Sequence, residues 1–210
     1  RAKRICVSYD NMGRFFPEER IVMTGNPLRG RFSATGADHS EALAHYGFND
    51  ELPVVLVVGG SLGTRTLNEM MKAWVRNLDG VAPVQVIWQT GKYYEREMQE
   101  FLRSHPTKNI WQGAFIERMD YAYAAADVVL SRSGAEDHQT KNAMALVEQG
   151  AAEIVRDSEA VERGMHLAVE LSRNGRRLEE LSSNIAKLAI SDSADRVVRV
   201  IDEVLTEVKR

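Results

Sequence analysis

Hydrophobic and polar positions in the middle of the chain alternate between two periods. Val54-Val-Leu-Val-Val58 is a continuous apolar, largely β-branched run, which predicts a strand buried on both faces. Leu67, Met70, Met71, Trp74, Val75 and Leu78 then recur at helical spacing. Val84 to Gln89 reads as a further strand. Tyr94, Met98, Phe101 and Leu102 mark a further helix, closed before Pro106. Residues 109–115 predict a strand, 119–126 a short helix and Val128-Val-Leu-Ser131 another strand. Residues 140–149 are helical in pattern and stop at Gly150, and Ala152 to Val155 predicts a short fifth strand. Such β-α-β-α repetition predicts an α/β fold, a Rossmann-like parallel sheet with flanking helices and right-handed crossovers.

The two ends differ from this centre. Residues 4–9 and 20–24 look like strands with no long helix between them. Gly25-Asn-Pro27 is a turn, and residues 29–36 are polar and glycine-containing, as in a linker. From Ser158 onward the pattern is helical. Val161, Met165 and Ala168 share one face, and Leu178, Leu181, Ile185 and Leu188 share another. Val197, Val200, Ile201, Val204, Leu205 and Val208 form an apolar stripe on the last helix that must dock on something.

Composition narrows the class. The chain has 210 residues, 44% of them hydrophobic and 27% charged, which is ordinary for a globular protein. A formal charge of −3 argues against a dedicated nucleic-acid binder, whose phosphate contacts need a basic excess. One cysteine, Cys6, allows no internal disulfide and suits a reducing compartment. The longest strongly apolar run, Leu52 to Val58, falls far short of the ~20 residues of a membrane-spanning helix. No signal-peptide pattern is read at Arg1-Ala-Lys-Arg4, and a start without Met is what a piece of a longer protein would show.

Several short runs could carry chemistry. Gly59-Gly-Ser-Leu-Gly63 lies between a predicted buried strand and a helix. Gly60 and Gly63 would let backbone approach a ligand, Ser61 adds a hydroxyl, and a helix start offers free N–H groups to a phosphate. The pattern is neither a Walker loop nor G-x-G-x-x-G. Ser131-Arg-Ser-Gly134-Ala135 again follows a strand, and in an open parallel sheet ligands bind beyond the carboxyl ends of the strands. Either run could equally be a plain turn. After the third central strand, Ile116 could flank a planar base while its backbone reads the base edge, or could simply be core. In Glu136-Asp-His-Gln-Thr-Lys-Asn142, Gln139 and Asn142 are three apart, share a helix face and could hold sugar hydroxyls. Asp137 there could cap the helix. Glu136, Asp137 and His138 offer a weak metal option, and the other histidines (39, 45, 105, 166) have no ligand-like spacing, so no metal site is expected. Arg29 could grip a phosphate or be a solvated linker charge. No Asp-x-Asp, Ser-x-x-Lys or G-x-S-x-G motif occurs.

Taken together, these runs resemble the MurG family of bacterial N-acetylglucosaminyltransferases. The resemblance rests on Thr24-Gly-Asn-Pro-Leu-Arg29, Val57-Val-Gly-Gly-Ser-Leu-Gly63, Trp88-Gln-Thr-Gly91, Phe115-Ile116 with Met119, Ala126 to Ala135 and His138 to Ala143, in order. It implies the C-terminal half of a GT-B fold, which has two Rossmann-like halves. On that reading residues 1–28 are a remnant of the N-terminal acceptor domain and 29–38 a linker. Residues 39–192 form the domain that binds the sugar nucleotide, and 193–210 are a helix docking on the N-terminal domain. The resemblance implies UDP-N-acetylglucosamine (UDP-GlcNAc) as donor and lipid-linked muramyl-pentapeptide as acceptor, with no cofactor and no nucleic acid. Arg29 and Ser61 would contact the diphosphate and Ile116 would read uracil through its backbone. Ala135 would open the donor loop, and Gln139 with Asn142 would hold the sugar. The reaction would be an inverting transfer in peptidoglycan synthesis, with the catalytic base and the membrane-facing surface on the N-terminal domain. The parent protein would sit in the bacterial cytoplasm, peripheral on the inner membrane. Relative to the family pattern this sequence lacks the N-terminal domain. It also lacks a segment between Ala135 and Glu136 that would supply a helix, a strand and a proline-containing loop. The residues also allow a non-catalytic subunit that binds a sugar nucleotide, or another GT-B enzyme such as a UDP-GlcNAc epimerase.

Overall fold

The computed structural model describes residues 2–8, 12–27, 37–59, 65–132, 137–190 and 192–208, without the side chains of 137–142 and 208. The chain forms two compact units, residues 37–187 and residues 1–36 with 188–210.

The larger unit is built on four parallel strands, β3 (Val54–Val58), β4 (Val81–Gln89), β5 (Lys108–Gly113) and β6 (Val128–Ser131), in the order β5-β4-β3-β6. One face is covered by α2 (Arg65–Arg76), α3 (Glu95–Ser104) and α6 (Asp157–Ser172). Val55, Val57, Val84, Val86 and Trp88 from the strands meet Met70, Met71, Trp74, Met98, Phe101 and Met165 there. The other face carries α1 (His39–Tyr46) and α4 (Met119–Ala125), which bring Leu43, Tyr46, Ala122 and Ala125 onto Val54, Leu56 and Ile87. The predicted helical stripe of α2 is thus the packed one, with Leu67, Met70, Met71, Trp74 and Val75 all buried. Helix α1 starts where Asp38 accepts a hydrogen bond from the Glu41 N–H at 3.0 Å, and stops at Gly47 in the left-handed region. Helices α5 (Asp137–Glu148) and α7 (Gly175–Leu188) complete this part of the chain.

Several expectations are corrected. Ala152 to Val155 forms no strand, and Ile154 is 41% exposed. The run has two alanines and a glutamate in its neighbourhood and is a weak strand former. Asp137 is the first residue of α5 and not its cap. Met165 and Ala168 are buried as their pattern predicts, but Val161 is exposed, and so are Ile185 and Leu188. Those three lie on helices that the sheet covers from one side at most, so apolar spacing outran the surface available to bury it.

In the smaller unit, β1 (Ile5–Val7) and β2 (Ile21–Met23) pair in parallel. Two single-turn 3-10 helices, Met12–Arg14 and Glu18–Arg20, lie between them in sequence. The final helix α8 (Ser193–Val208) belongs to the same unit, where Arg4 pairs with Glu207 at 2.6 Å. Gly25 is held at φ 75°, and a Cβ there would come within 2.5 Å of Ser193 Oγ, so both the turn and the close packing require glycine. The apolar stripe predicted for this helix splits. Val200 is buried, whereas Ile201 and Leu205 are about half exposed.

Candidate functional site

The order β5-β4-β3-β6 contains a reversal. From β3 the chain steps to β4 and β5 on one side, then returns to place β6 on the other side of β3. In open parallel sheets this switch point, at the carboxyl ends of the strands, is where a crevice opens for ligand. Val58 is in register with Ser131, so Gly59 and Arg132 leave adjacent strands side by side at one rim. From there the chain continues into 60–64 and 133–136, which lie outside the described residues. Residues 60–64 end at Arg65, the first residue of α2, and 133–136 end at Asp137, the first residue of α5. Both segments thus run from a strand end to a helix start, the arrangement that presents unpaired N–H groups and positive dipole ends.

Of the candidate residues, Arg29, Gly60, Ser61, Gly63, Gly134 and Ala135 lie outside the described residues. Gln139 and Asn142 lie in the first half of α5, three positions apart on its helical backbone, with side chains outside the description. Ile116 is described, and it corrects one expectation. The residue is 2% exposed and its side chain packs among Leu43, Tyr46, Val54, Leu56 and Ile87, so that side chain does not flank a base. The exposed apolar side chain at that point of the rim is its neighbour Phe115 (58% exposed).

A polar network beneath the rim escaped the sequence reading. Asn68 on α2 is buried; it accepts from Trp88 Nε1 at 3.0 Å and donates to the Thr90 carbonyl at 3.0 Å. Thr90 Oγ1 accepts from Gln112 Nε2 at 3.1 Å and donates to the Gly113 carbonyl at 3.3 Å. The Gly91 N–H bonds the Ala114 carbonyl at 3.1 Å, with Gly91 at φ 81°. Buried polar groups with all partners in place fix the ends of β4 and β5 in one arrangement. The available signal was a single asparagine inside the apolar stripe of α2, able to partner the N–H of a tryptophan in a strand predicted to be buried.

Two arginines at the rim are already engaged. Arg118 forks onto Asp120, at 2.6 Å for the closest pair, and lies over the Tyr121 ring at 3.6 Å. The guanidinium holds the Asp120 carboxyl down at about 2, and the carboxylate raises Arg118 in turn. Arg132 bonds Asp157 through Nε at 2.9 Å and Nη2 at 3.3 Å. At the opposite, amino edge a cavity of about 260 Å³ is lined by His39, Asp50, Glu51, Pro53, Val54 and Asp127. Its carboxylates repel an anionic ligand, and Asp127 is occupied in accepting the Val54 N–H at 2.7 Å. Among the described residues no group of three His, Cys, Asp or Glu side chains is arranged to hold a metal.

Residues 54–136 match the glycosyltransferase family 28 C-terminal domain. Curated relatives include a Bacteroides fragilis UDP-N-acetylglucosamine--N-acetylmuramyl-(pentapeptide) pyrophosphoryl-undecaprenol N-acetylglucosamine transferase. It is 42% identical over 92% of this chain and 57% of its own length. The Parabacteroides distasonis protein of the same name is 41% identical over 98% of this chain and 61% of its own length. The crystal structure of Acinetobacter baumannii MurG superposes with a TM-score of 0.67 at 25% identity, over 96% of this chain and 61% of that one. A Staphylococcus aureus MnaA co-structure with UDP shares the fold at a TM-score of 0.60 and 13% identity, over 93% of this chain and 57% of that one. The chain thus spans about three-fifths of the length of the curated relatives it matches. The Porphyromonas gingivalis relative aligns over 236 positions against the 210 residues of this chain, so at least 26 of its positions have no counterpart. The family match stops at residue 136, beside the junction where the sequence pattern breaks.

Proposed function

We propose that this chain is the part of a MurG-type transferase that binds the sugar nucleotide, and that it takes UDP-GlcNAc at the switch point between β3 and β6. The observation that carries this reading is the parallel register of Val58 with Ser131, in a chain about 40% identical to named N-acetylglucosaminyltransferases. Backbone N–H groups after Gly59, the Ser61 hydroxyl and Arg29 hold the diphosphate. Gly60, Gly63 and Gly134 allow close backbone approach, and Ala135 opens the loop over the donor. The Ile116 backbone reads the uracil edge while Phe115 supplies the apolar surface beside it. Gln139 and Asn142 bond the sugar hydroxyls.

In the complete enzyme the C4 hydroxyl of the lipid-linked muramyl-pentapeptide attacks the anomeric carbon of the donor. The new C–O bond forms as the bond to the diphosphate oxygen breaks, with inversion to a β-1,4 link. The hydroxyl proton passes to a base on the other domain, and UDP departs with the extra negative charge. Helix starts and Arg29 stabilise that charge where it develops. The acceptor's lipid places the complete protein on the cytoplasmic face of the inner membrane, as a peripheral protein. No helix among the described residues is long and apolar enough to cross a membrane.

Calorimetry with UDP-GlcNAc, UDP-glucose and UDP tests the proposal. The 210-residue chain is expected to bind all three and to transfer no sugar by itself. Ser61→Ala should weaken all three ligands, and Gln139→Ala should weaken the sugar nucleotides more than UDP. Sugar transfer by the chain alone would overturn the division of roles, and absence of any UDP binding would overturn the site.

A further inference from the structure

The exit from β5, which leads to Ile116, is held by a chain of buried polar groups that starts on α2. Thr90, fully buried just after β4, bonds the Gly113 carbonyl twice, through its N–H at 3.0 Å and its Oγ1 at 3.3 Å. The Gly91 N–H adds a bond to the Ala114 carbonyl at 3.1 Å. Thr90 is itself held in place. Its Oγ1 accepts from Gln112 Nε2 at 3.1 Å, and its carbonyl accepts from Asn68 Nδ2 at 3.0 Å. Asn68 reaches it from the buried side of α2, with its Oδ1 accepting from Trp88 Nε1 at 3.0 Å. On the other face of the sheet the Ile116 side chain is packed among Leu43, Leu56 and Ile87. The chain at 113–116 is therefore anchored from both faces. The Ile116 N–H and carbonyl have no hydrogen-bond partner among the described residues, although the residue is 2% exposed. A buried donor and acceptor left open on one residue can be completed by a ligand that presents the complementary pair.

We propose that Asn68 is a positioning residue for base recognition: acting through Thr90, it holds the Ile116 backbone in the place where it meets the base edge, and so sets the preference for uracil over cytosine. The proposal rests on the nucleotide-site reading above. Uracil offers a carbonyl acceptor and a ring N–H donor on that edge, whereas cytosine offers an amino donor and a ring nitrogen acceptor. A fixed backbone N–H and carbonyl match the first pattern and oppose the second. A displacement of about an ångström is enough to blur that distinction, because both bonds must form at once.

Calorimetry on the 210-residue chain with UDP and CDP tests the role. The parent should bind UDP at least about tenfold more tightly than CDP. Thr90→Val keeps the shape and removes the hydroxyl. It should weaken UDP about tenfold while CDP stays within about threefold, so that the preference collapses. Thr90→Ser, which keeps the hydroxyl, should retain the preference. Asn68→Ala should behave as Thr90→Val does where it folds, and where it does not, Thr90→Val decides. Equal weakening of UDP and CDP, or a parent-like ratio in a folded Thr90→Val chain, would overturn the positioning role and leave the nucleotide reading standing. A parent that binds both nucleotides alike, or neither, would overturn the base reading and this role with it. Amide exchange without ligand judges the anchor separately. Thr90→Val should speed exchange in peptides covering 112–117 and leave β3 unchanged, and parent-like exchange at 112–117 would overturn the proposal.

Discussion

Strands β3 and β6 begin with the same three residues, Val-Val-Leu, yet they live in different surroundings. In β3, Val54, Val55 and Leu56 are all at most 1% exposed. In β6, Val128 and Leu130 are partly buried against the α2 and α6 side, while Val129 is 47% exposed on the other face. The difference is position. β3 has a strand on each side and helices on both faces; β6 pairs with β3 alone among the described residues. An apolar run states what a strand can bury, and the neighbours it finds decide what it does bury.

Core truncation should break this comparison most visibly. Trp88→Ala removes a fully buried indole and leaves Asn68 Oδ1 without its donor, and should cost about 3–5 kcal/mol in urea denaturation. Leu56→Ala in β3 should cost about 2–5 kcal/mol. Val129→Ser in β6 should stay within about 0.5 kcal/mol, despite the shared tripeptide. A Val129 variant as damaging as Leu56→Ala would mean that β6 is covered. Asp127→Ala should cost about 1–3 kcal/mol, because the Val54 N–H at the entrance to β3 loses its acceptor; Asp127→Asn should retain most of the stability.

The smallest effects are in pH dependence. Asp120 is held at about 2, below its ordinary 3.8, mainly by its hydrogen bond from Arg118. Its contribution is complete above about pH 4 and is lost as pH falls through about 2, so Arg118→Ala should narrow the acid-stable range in thermal melts. His39 is raised above 6.5 because its ring bonds the Ala124 carbonyl at 2.7 Å and Asp50 at 3.1 Å. That contribution is complete below about pH 6.5 and fades as pH rises through the raised value. The difference in Tm between the parent and His39→Ala should shrink across that window.

Much of the larger unit was legible in the sequence because period and burial agree there: the β3 run, the α2 stripe and the closing of α3 before Pro106 all follow the pattern. Pattern failed where a partner was missing. Ala152 to Val155 reads as a strand in isolation, but among the described residues it pairs with no strand of the sheet. Helix α8 failed similarly, since a wide apolar stripe has one buried side, at Val200, and one exposed side, at Ile201 and Leu205. At the site, only Gly59, Ser131 and Arg132 of the two glycine runs are described, and they leave adjacent strands at one rim. The Ile116 side chain could not be separated from Phe115, because alternation along an irregular segment after β5 does not tell which of two neighbours turns inward. Asn68 was invisible because its role depends on a residue 22 positions away in the chain.

The most direct test of the account is to map which amides UDP protects from exchange. Protection confined to peptides spanning 59–66, 114–117 and 131–142, all at the carboxyl rim, is the expected result. Protection at the His39, Asp50 and Asp127 cavity on the amino rim, or none at 59–66 and 131–142 under saturating UDP, would contradict it.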